Sequence, residues 1–160
     1  MQLEVGAQRI DHIARLGGAD IDVLLDALQP AARPALERAL EQLAVHGYEV
    51  VQTIGADAPS GPDFVRLAAA SGPPLDIQTA KTAYQQQLVA RAVATREGLP
   101  VATAEDLVIL KLIAHRPKDV VDLRGLIALP DLDWAYIEQW AVAWEVADRL
   151  DVLRRAASAP

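Results

Sequence analysis

Three aspartates lie in segments whose residue pattern predicts β-strands. Asp20 and Asp22 are two positions apart in residues 19–25, so both carboxylates would point to one face, within reach of a shared hard cation. Asp76 lies in residues 74–78, between apolar neighbours that would face a core. Three carboxylates on two strands are the set that binds two magnesium ions, about 3.5–4 Å apart, for in-line phosphoryl or nucleotidyl transfer. The alternative is a strand end exposed to solvent.

A second group of charged residues surrounds Lys111, the only polar side chain in residues 107–114. Lys111 either snorkels from a packed helix or points into a polar site, where a triphosphate or a carboxylate would have to neutralise it. Arg116, Asp119 and Asp122 follow at helical spacing. The alternative for Asp119 and Asp122 is a solvated helix face with weak salt bridges, one of them between Lys118 and Asp122. The functional interpretation places all four along one side of two consecutive helices, facing the strand carboxylates.

The elements that position these residues follow from hydrophobic periodicity and from turn residues. Apolar residues at helical spacing predict a helix over residues 30–46, with Gly47 as its C-terminal cap. Strands are predicted over residues 19–25, 48–53, 63–69 and 74–78. The order of strands and helix indicates an α+β fold with a mixed sheet flanked by helices.

Beyond Gly98 the pattern is helical, so we predict a core in residues 1–98 and a helical C-terminal part in residues 99–160 that packs on it. Helices are expected to begin at Thr103, Pro117 and Asp133, and a last one to span residues 146–155. The three tryptophans are expected to pack in the core of these helices: Trp134, Trp140 and Trp144.

Composition excludes several classes of site. The chain has no cysteine, which rules out disulfides, thiolate catalysis and cysteine-bound zinc. No Walker-type loop and no Ser, His and Asp set for a hydrolase triad is present. Neither a signal peptide nor a long apolar run appears, so a soluble cytoplasmic protein without membrane contact is expected.

The formal net charge is −7, which speaks against non-specific binding of nucleic acid. An RNA substrate would need a local basic patch. The basic residues considered for such a patch are Arg33, Arg38, Lys81, Arg91, Arg96, Arg116, Lys118 and Arg124.

Taken together, these motifs resemble the nucleotidyltransferase superfamily, specifically its abortive-infection AbiEii and MenT-like toxin branch. The matching pieces are Asp-Ile-Asp at residues 20–22, Leu-Asp-Ile at residues 75–77 and the stretch at residues 99–122. The last stretch is the most specific. It begins with Pro-Val, continues with Glu-Asp-Leu and a lysine in the following helix, and ends with an Arg-x-Lys-Asp-x-x-Asp turn, in the order typical of the family.

The resemblance implies a nucleotidyltransferase-like sheet core with Mg²⁺ or Mn²⁺ held by Asp20, Asp22 and Asp76. It also implies nucleotide contacts from Lys111, with Arg116, Asp119 and Asp122 supporting them. The implied reaction transfers a nucleoside monophosphate from a nucleoside triphosphate to an acceptor, which is transfer RNA for some relatives or a protein. A cognate antitoxin is the usual partner in such toxin–antitoxin or phage-defence systems.

The N-terminal region departs from the family pattern. Relatives carry a Gly-Gly or Gly-Ser pair about a dozen residues before the acidic pair, where it holds the triphosphate; this chain offers Gly6 in residues 5–8. We therefore expect either that the N-terminal part is shortened or that the triphosphate-binding segment has been lost while the metal site persists. Two alternatives to an enzyme follow: an interaction module that keeps the fold without catalysis, and a purely structural helical protein.

Overall fold

The structure, a computed structural model, describes residues 13–14, 21–26 and 32–157, with side chains from residue 21 onward. Gly6 and Asp20 lie outside the described residues. The chain divides into two compact units, Met1–Ala102 and Thr103–Pro160. None of the described helices is long and apolar enough to cross a membrane.

Seven strands and six helices form within the described residues, which confirms a mixed α+β fold. The strands are β1 (Ile13–Ala14), β2 (Ile21–Asp26), β3 (Tyr48–Ile54), β4 (Phe64–Ala69), β5 (Leu75–Ala80), β6 (Val93–Ala94) and β7 (Pro100–Val101). The helices are α1 (Ala32–Val45), α2 (Ala83–Arg91), α3 (Ala104–Ala114), α4 (Pro117–Leu126), α5 (Trp134–Ala143) and α6 (Ala147–Ala157).

The N-terminal unit is built on a five-stranded sheet in the order β1-β2-β5-β4-β3. β2 and β5 run parallel, whereas the other neighbouring pairs are antiparallel, so the sheet is mixed as predicted. A separate two-stranded sheet pairs β6 with β7. β2 lies inside the larger sheet, between β1 and β5, so its acidic residues belong to an inner strand.

One face of this sheet forms the core of the N-terminal unit. Alternate residues of β2, β4 and β5 are buried against α1, since side chains along a strand point to opposite faces in turn. The core side chains are Val23, Leu25, Leu36, Leu43, Val65, Leu67, Leu75 and Ile77. The residues between them on each strand therefore point to the opposite face, and these include the acidic residues of interest.

The loop between β3 and β4 is fixed by a lysine from the end of β5. The ammonium of Lys81 donates hydrogen bonds to the backbone oxygen of Gly61 at 2.5 Å and to the Asp63 carboxylate at 2.6 Å. Gly55, at the start of the loop, has a φ of 70° and no room for a side chain, because a Cβ there would lie 2.4 Å from an Asp63 oxygen. Lys81 thus anchors the C-terminal end of the loop, and Gly55 lies close to Asp63 at its start.

The C-terminal unit contains α3 to α6, and its helices start where local signals predict. Thr103 caps α3, Pro117 is the first residue of α4, and Asp133 caps α5 by accepting a hydrogen bond from the Tyr136 amide at 3.0 Å. The buried side chains that form its core include Val108, Ile109, Leu112, Leu123, Ile137, Ala141, Leu150 and Leu153.

The tryptophan prediction was wrong. Trp144 is 39% exposed, and Trp134 and Trp140 are only half-buried. α5 turns Ile137 and Ala141 into the core instead, four residues apart on one helix face. Trp134 lies under the guanidinium of Arg154, whose central carbon is 4.1 Å from the ring centre.

Candidate functional site

Two aspartates face each other across neighbouring strands of the central sheet. Asp22 of β2 and Asp76 of β5 are register partners in the parallel pair. Neighbouring strands lie about 4.8 Å apart, and partners in register point to the same face. Their neighbours Val23 and Ile77 are in the core, so both carboxylates lie on the opposite face. The strand register thus places Asp22 and Asp76 on the same face of the sheet.

Asp76 forms a two-point ion pair with Arg66 of β4, the strand on its other side. The Arg66 Nε donates to Asp76 Oδ1 at 2.7 Å, and Nη2 donates to Oδ2 at 2.6 Å. The Asp76 side chain is only 8% exposed, whereas that of Arg66 is 42% exposed. The pair therefore has a buried acidic end and an open basic end.

Arg66 is not among the site residues or the basic patch predicted from the sequence. A signal was present, because Arg66 lies between Val65 and Leu67 in an alternating strand and must point away from the core. The strand neighbour that it would meet on that face depends on strand order, which the sequence pattern does not reveal.

The chemistry of this acidic pair suits a hard divalent cation. Carboxylate oxygens are the ligands that Mg²⁺ and Mn²⁺ prefer, and Asp22 and Asp76 present them from adjacent inner strands. Both oxygens of Asp76 accept hydrogen bonds from Arg66, so a metal at this carboxylate would have to displace the guanidinium. Across residues 21–26 and 32–157, no group of three or more acidic or histidine side chains is arranged to hold a metal. The predicted third ligand, Asp20, lies outside those residues.

Lys111, the centre of the second predicted group, is buried in the C-terminal unit. Its ammonium lies 2.5 Å from an Asp122 oxygen and 3.5 Å from an Asp119 oxygen. With only 8% of its side chain exposed, it does not snorkel to solvent. Of the alternatives left open by the sequence, a polar site with carboxylate partners is the one observed.

Arg116 completes this group through Asp119. Its Nε and Nη2 donate to the two Asp119 oxygens at 2.7 and 3.2 Å, and its backbone amide donates to Oδ2 at 3.0 Å. These side-chain hydrogen bonds from Arg116 hold the pKa of Asp119 below its usual value, although burial acts in the opposite direction. The fully buried Asp119 is thus kept ionised between two cations.

The α3–α4 turn therefore brings together all four residues predicted there. Asp119 and Asp122 lie three residues apart on α4, so one face of that helix meets the Lys111 side chain of α3. Two basic and two acidic side chains balance in charge. The interpretation as a solvated helix face is wrong for Asp119, which is fully buried.

A third polar group in the same unit was not predicted. Asp106 of α3 is fully buried and accepts hydrogen bonds from the Tyr136 hydroxyl at 2.6 Å and the Thr103 hydroxyl at 2.8 Å. Thr103 also caps α3 by accepting from the Asp106 amide at 3.3 Å. The sequence places Asp106 in a helix cap and in the Glu-Asp-Leu motif of the resemblance, and its bond to Tyr136 also joins α3 to α5.

Comparison with known proteins gives no family for this chain. No protein-family model matches the sequence, and no curated protein matches it either.

Proposed function

We propose that this chain is a metal-dependent nucleotidyltransferase, which moves a nucleoside monophosphate from a nucleoside triphosphate to an RNA or protein acceptor. The observation that carries the proposal is the Asp22 and Asp76 pair on one face of two adjacent parallel strands. Like charges at partner positions repel each other, so cations are favoured there; the Arg66 guanidinium is one, and a divalent ion would be another. A mixed sheet with an acidic pair on inner strands is also what the resemblance leads one to expect.

Asp22 and Asp76 would hold Mg²⁺ or Mn²⁺, and Asp20 is the proposed third ligand. A divalent ion bound there supplies activation of the attacking hydroxyl and charge stabilisation on the leaving pyrophosphate. The protein's own contribution is to hold the carboxylates at fixed positions on a packed sheet, with the core face of β2 and β5 buried beneath them. Gly6 is proposed to contact the triphosphate.

The proposed biological setting is a toxin of a toxin–antitoxin or phage-defence system, with transfer RNA as a candidate acceptor. Lys111 remains a proposed nucleotide contact, supported by Arg116, Asp119 and Asp122. Its ammonium is already paired with two carboxylates, so a nucleotide phosphate would have to compete with Asp122, the more exposed partner at 35%.

The test is a transfer assay with the purified full chain, Mg²⁺ and each labelled nucleoside triphosphate in turn, with total bacterial RNA and the protein itself as acceptors. Asp22→Asn is the variant, and Asp26→Asn is its matched control, because Asp26 lies on the same strand and the same face, opposite Ala80 rather than an acidic residue.

We expect transfer by the wild type and by Asp26→Asn, and a loss of about a hundredfold or more in Asp22→Asn, since metal ligation supplies several kcal/mol of transition-state stabilisation. Unchanged transfer in Asp22→Asn would refute the proposal.

A second candidate is a binding module that keeps this fold without catalysis. It is favoured by the Arg66 guanidinium, which engages both oxygens of Asp76 and so gives the acidic residue a structural partner. Titration calorimetry with Mg²⁺ and each nucleoside triphosphate distinguishes the two, because a module without catalysis has no need of either ligand. Binding in the micromolar range would count against the module.

A further inference from the structure

The ion pair between Arg66 and Asp76 occupies the carboxylate that the proposed function assigns to a metal. Both Asp76 oxygens accept a hydrogen bond from the guanidinium, at 2.6 and 2.7 Å. We propose that Arg66 is a positioning residue that exchanges partners: it holds Asp76 before substrate binds and moves to the triphosphate when a divalent cation takes the carboxylate. This inference rests on the proposed function and adds a regulation of metal binding to it.

The uneven burial of the pair supports the exchange. Asp76 is fixed on an inner strand and 8% exposed, whereas the Arg66 side chain is 42% exposed. A guanidinium on the open side can leave the carboxylate and remain hydrated, since arginine carries its charge on a long side chain. The Phe64 ring, 5.7 Å from the guanidinium carbon, lies on the same face of β4. Arg66 is therefore the partner able to move.

The charges explain why the pair would resist a metal alone. Asp22 and Asp76 bring two carboxylates to partner positions, and Arg66 pairs with Asp76 from the next strand. A divalent cation at these carboxylates would meet the positive guanidinium at short range, where like charges repel. Arg66 thus lowers the affinity of the acidic pair for a free metal ion.

The chemistry of the guanidinium explains what it would gain from a nucleotide. Its planar donors match phosphate oxygens as well as they match a carboxylate, and they bind either in two-point fashion. A metal-bound triphosphate therefore offers a cation to Asp76 and phosphate oxygens to Arg66 together. Metal and triphosphate would bind with positive coupling, and each would bind weakly without the other.

The experiment measures binding, not activity. Free Mn²⁺ is titrated with the full chain and followed by its electron paramagnetic resonance signal, for wild type, Arg66→Met and Asp76→Asn. Lys81→Met is the matched control, because Lys81 also forms an ion pair in this unit but with Asp63. We expect Arg66→Met to bind Mn²⁺ about tenfold more tightly than wild type, Asp76→Asn to bind it at least tenfold more weakly, and Lys81→Met to be unchanged.

A second titration uses a non-hydrolysable triphosphate analogue at a fixed excess of Mn²⁺. Here Arg66→Met should bind the analogue about tenfold more weakly than wild type does. The same substitution thus raises the affinity for free Mn²⁺ and lowers the affinity for the triphosphate. Arg66→Lys keeps the charge but loses the two-point geometry. Its Mn²⁺ affinity should stay within about threefold of wild type, while its affinity for the analogue falls.

Circular dichroism verifies that each variant is folded. If Arg66→Met is unfolded, Arg66→Lys provides the test. An affinity of Arg66→Lys for the triphosphate analogue equal to that of wild type then overturns the exchange. Equal Mn²⁺ affinity in wild type and Arg66→Met, with weaker binding in Asp76→Asn, overturns the exchange and leaves the metal site intact. No Mn²⁺ binding by wild type or Arg66→Met at millimolar concentrations overturns both the exchange and the metal-dependent function.

Discussion

Tyr136 donates a hydrogen bond from its hydroxyl to the buried carboxylate of Asp106 at 2.6 Å, which joins α5 to α3. Tyr136→Phe removes this donor while the ring keeps its packing. We expect a loss of about 1–3 kcal/mol in the free energy of unfolding, because a buried acceptor is left with fewer partners. Urea unfolding followed by circular dichroism measures it.

Tyr48→Phe serves as the control for that measurement. The Tyr48 hydroxyl donates to the neutral backbone oxygen of Pro73 at 3.2 Å in a partly buried position. Its loss should cost about 0.5–1 kcal/mol, less than that of Tyr136, because the acceptor is uncharged. Equal losses in the two variants would contradict a special role for Asp106.

Lys111→Met tests the buried charge group of the C-terminal unit. The substitution leaves the buried Asp119 with one cation instead of two and Asp122 without the ammonium at 2.5 Å. Breaking such a buried pair typically costs about 3 kcal/mol or more. The exposed Lys118 lies nearby on α4, and Lys118→Met should change the free energy of unfolding by less than about 0.5 kcal/mol. Similar effects of the two substitutions would show that Lys111 carries no structural role.

Arg116→Gln should reduce stability in a pH-dependent manner. The pKa of Asp119 is lowered, mainly by the Arg116 side chain, so its contribution to stability is complete above the unfolded-state pKa of about 3.9. That contribution is lost as the pH falls through the lower pKa of the folded state.

The difference in unfolding free energy between wild type and Arg116→Gln should thus be largest above about pH 4 and should shrink in stronger acid. Urea titrations between pH 7 and pH 2.5 measure it, with Arg124→Gln, an exposed arginine at the other end of α4, as control. A difference that does not vary with pH would refute the role assigned to Asp119.

Gly55→Ala tests how tightly the β3–β4 loop is held. An added Cβ would lie 2.4 Å from an Asp63 oxygen, and the backbone φ of 70° disfavours any side chain. Gly47→Ala has a φ of 80° but no atom within 4 Å of its Cβ, so it measures the backbone cost alone. We expect about 1 kcal/mol of destabilisation for Gly47→Ala and clearly more for Gly55→Ala. Equal losses of stability for the two variants in thermal unfolding would mean that the loop adjusts to the added Cβ without an energetic cost.

Local signals predicted most of the helices and strands, because helix caps and hydrophobic periodicity depend only on residues close together in the sequence. α1 was expected over residues 30–46 and is observed at Ala32–Val45. α2 was missed because glutamines at residues 85–87 interrupt its apolar pattern, which is reduced to Tyr84 and Leu88. The Thr82 and Gln85 capping box at its start was a readable signal.

Pairings between distant residues could be predicted only in part. Asp22 and Asp76 were grouped by residue type, and strand alternation was enough to place them on one face. Arg66 needed the knowledge that β4 lies next to β5, and the partners of Lys111 needed the packing of α4 on α3. Neither follows from periodicity, which reveals the buried side of an element but not its neighbour.

The parallel pairing of β2 with β5 also has a consequence for folding. The chain between these strands includes α1, β3 and β4, so the pair closes a long loop, and the conformational entropy of that loop opposes early pairing. The β3–β4 and β4–β5 hairpins are local and can form sooner. Arg66 would then meet Asp76 before Asp22 does. We expect the acidic pair to be assembled in a late kinetic step, with Asp76 already paired with Arg66.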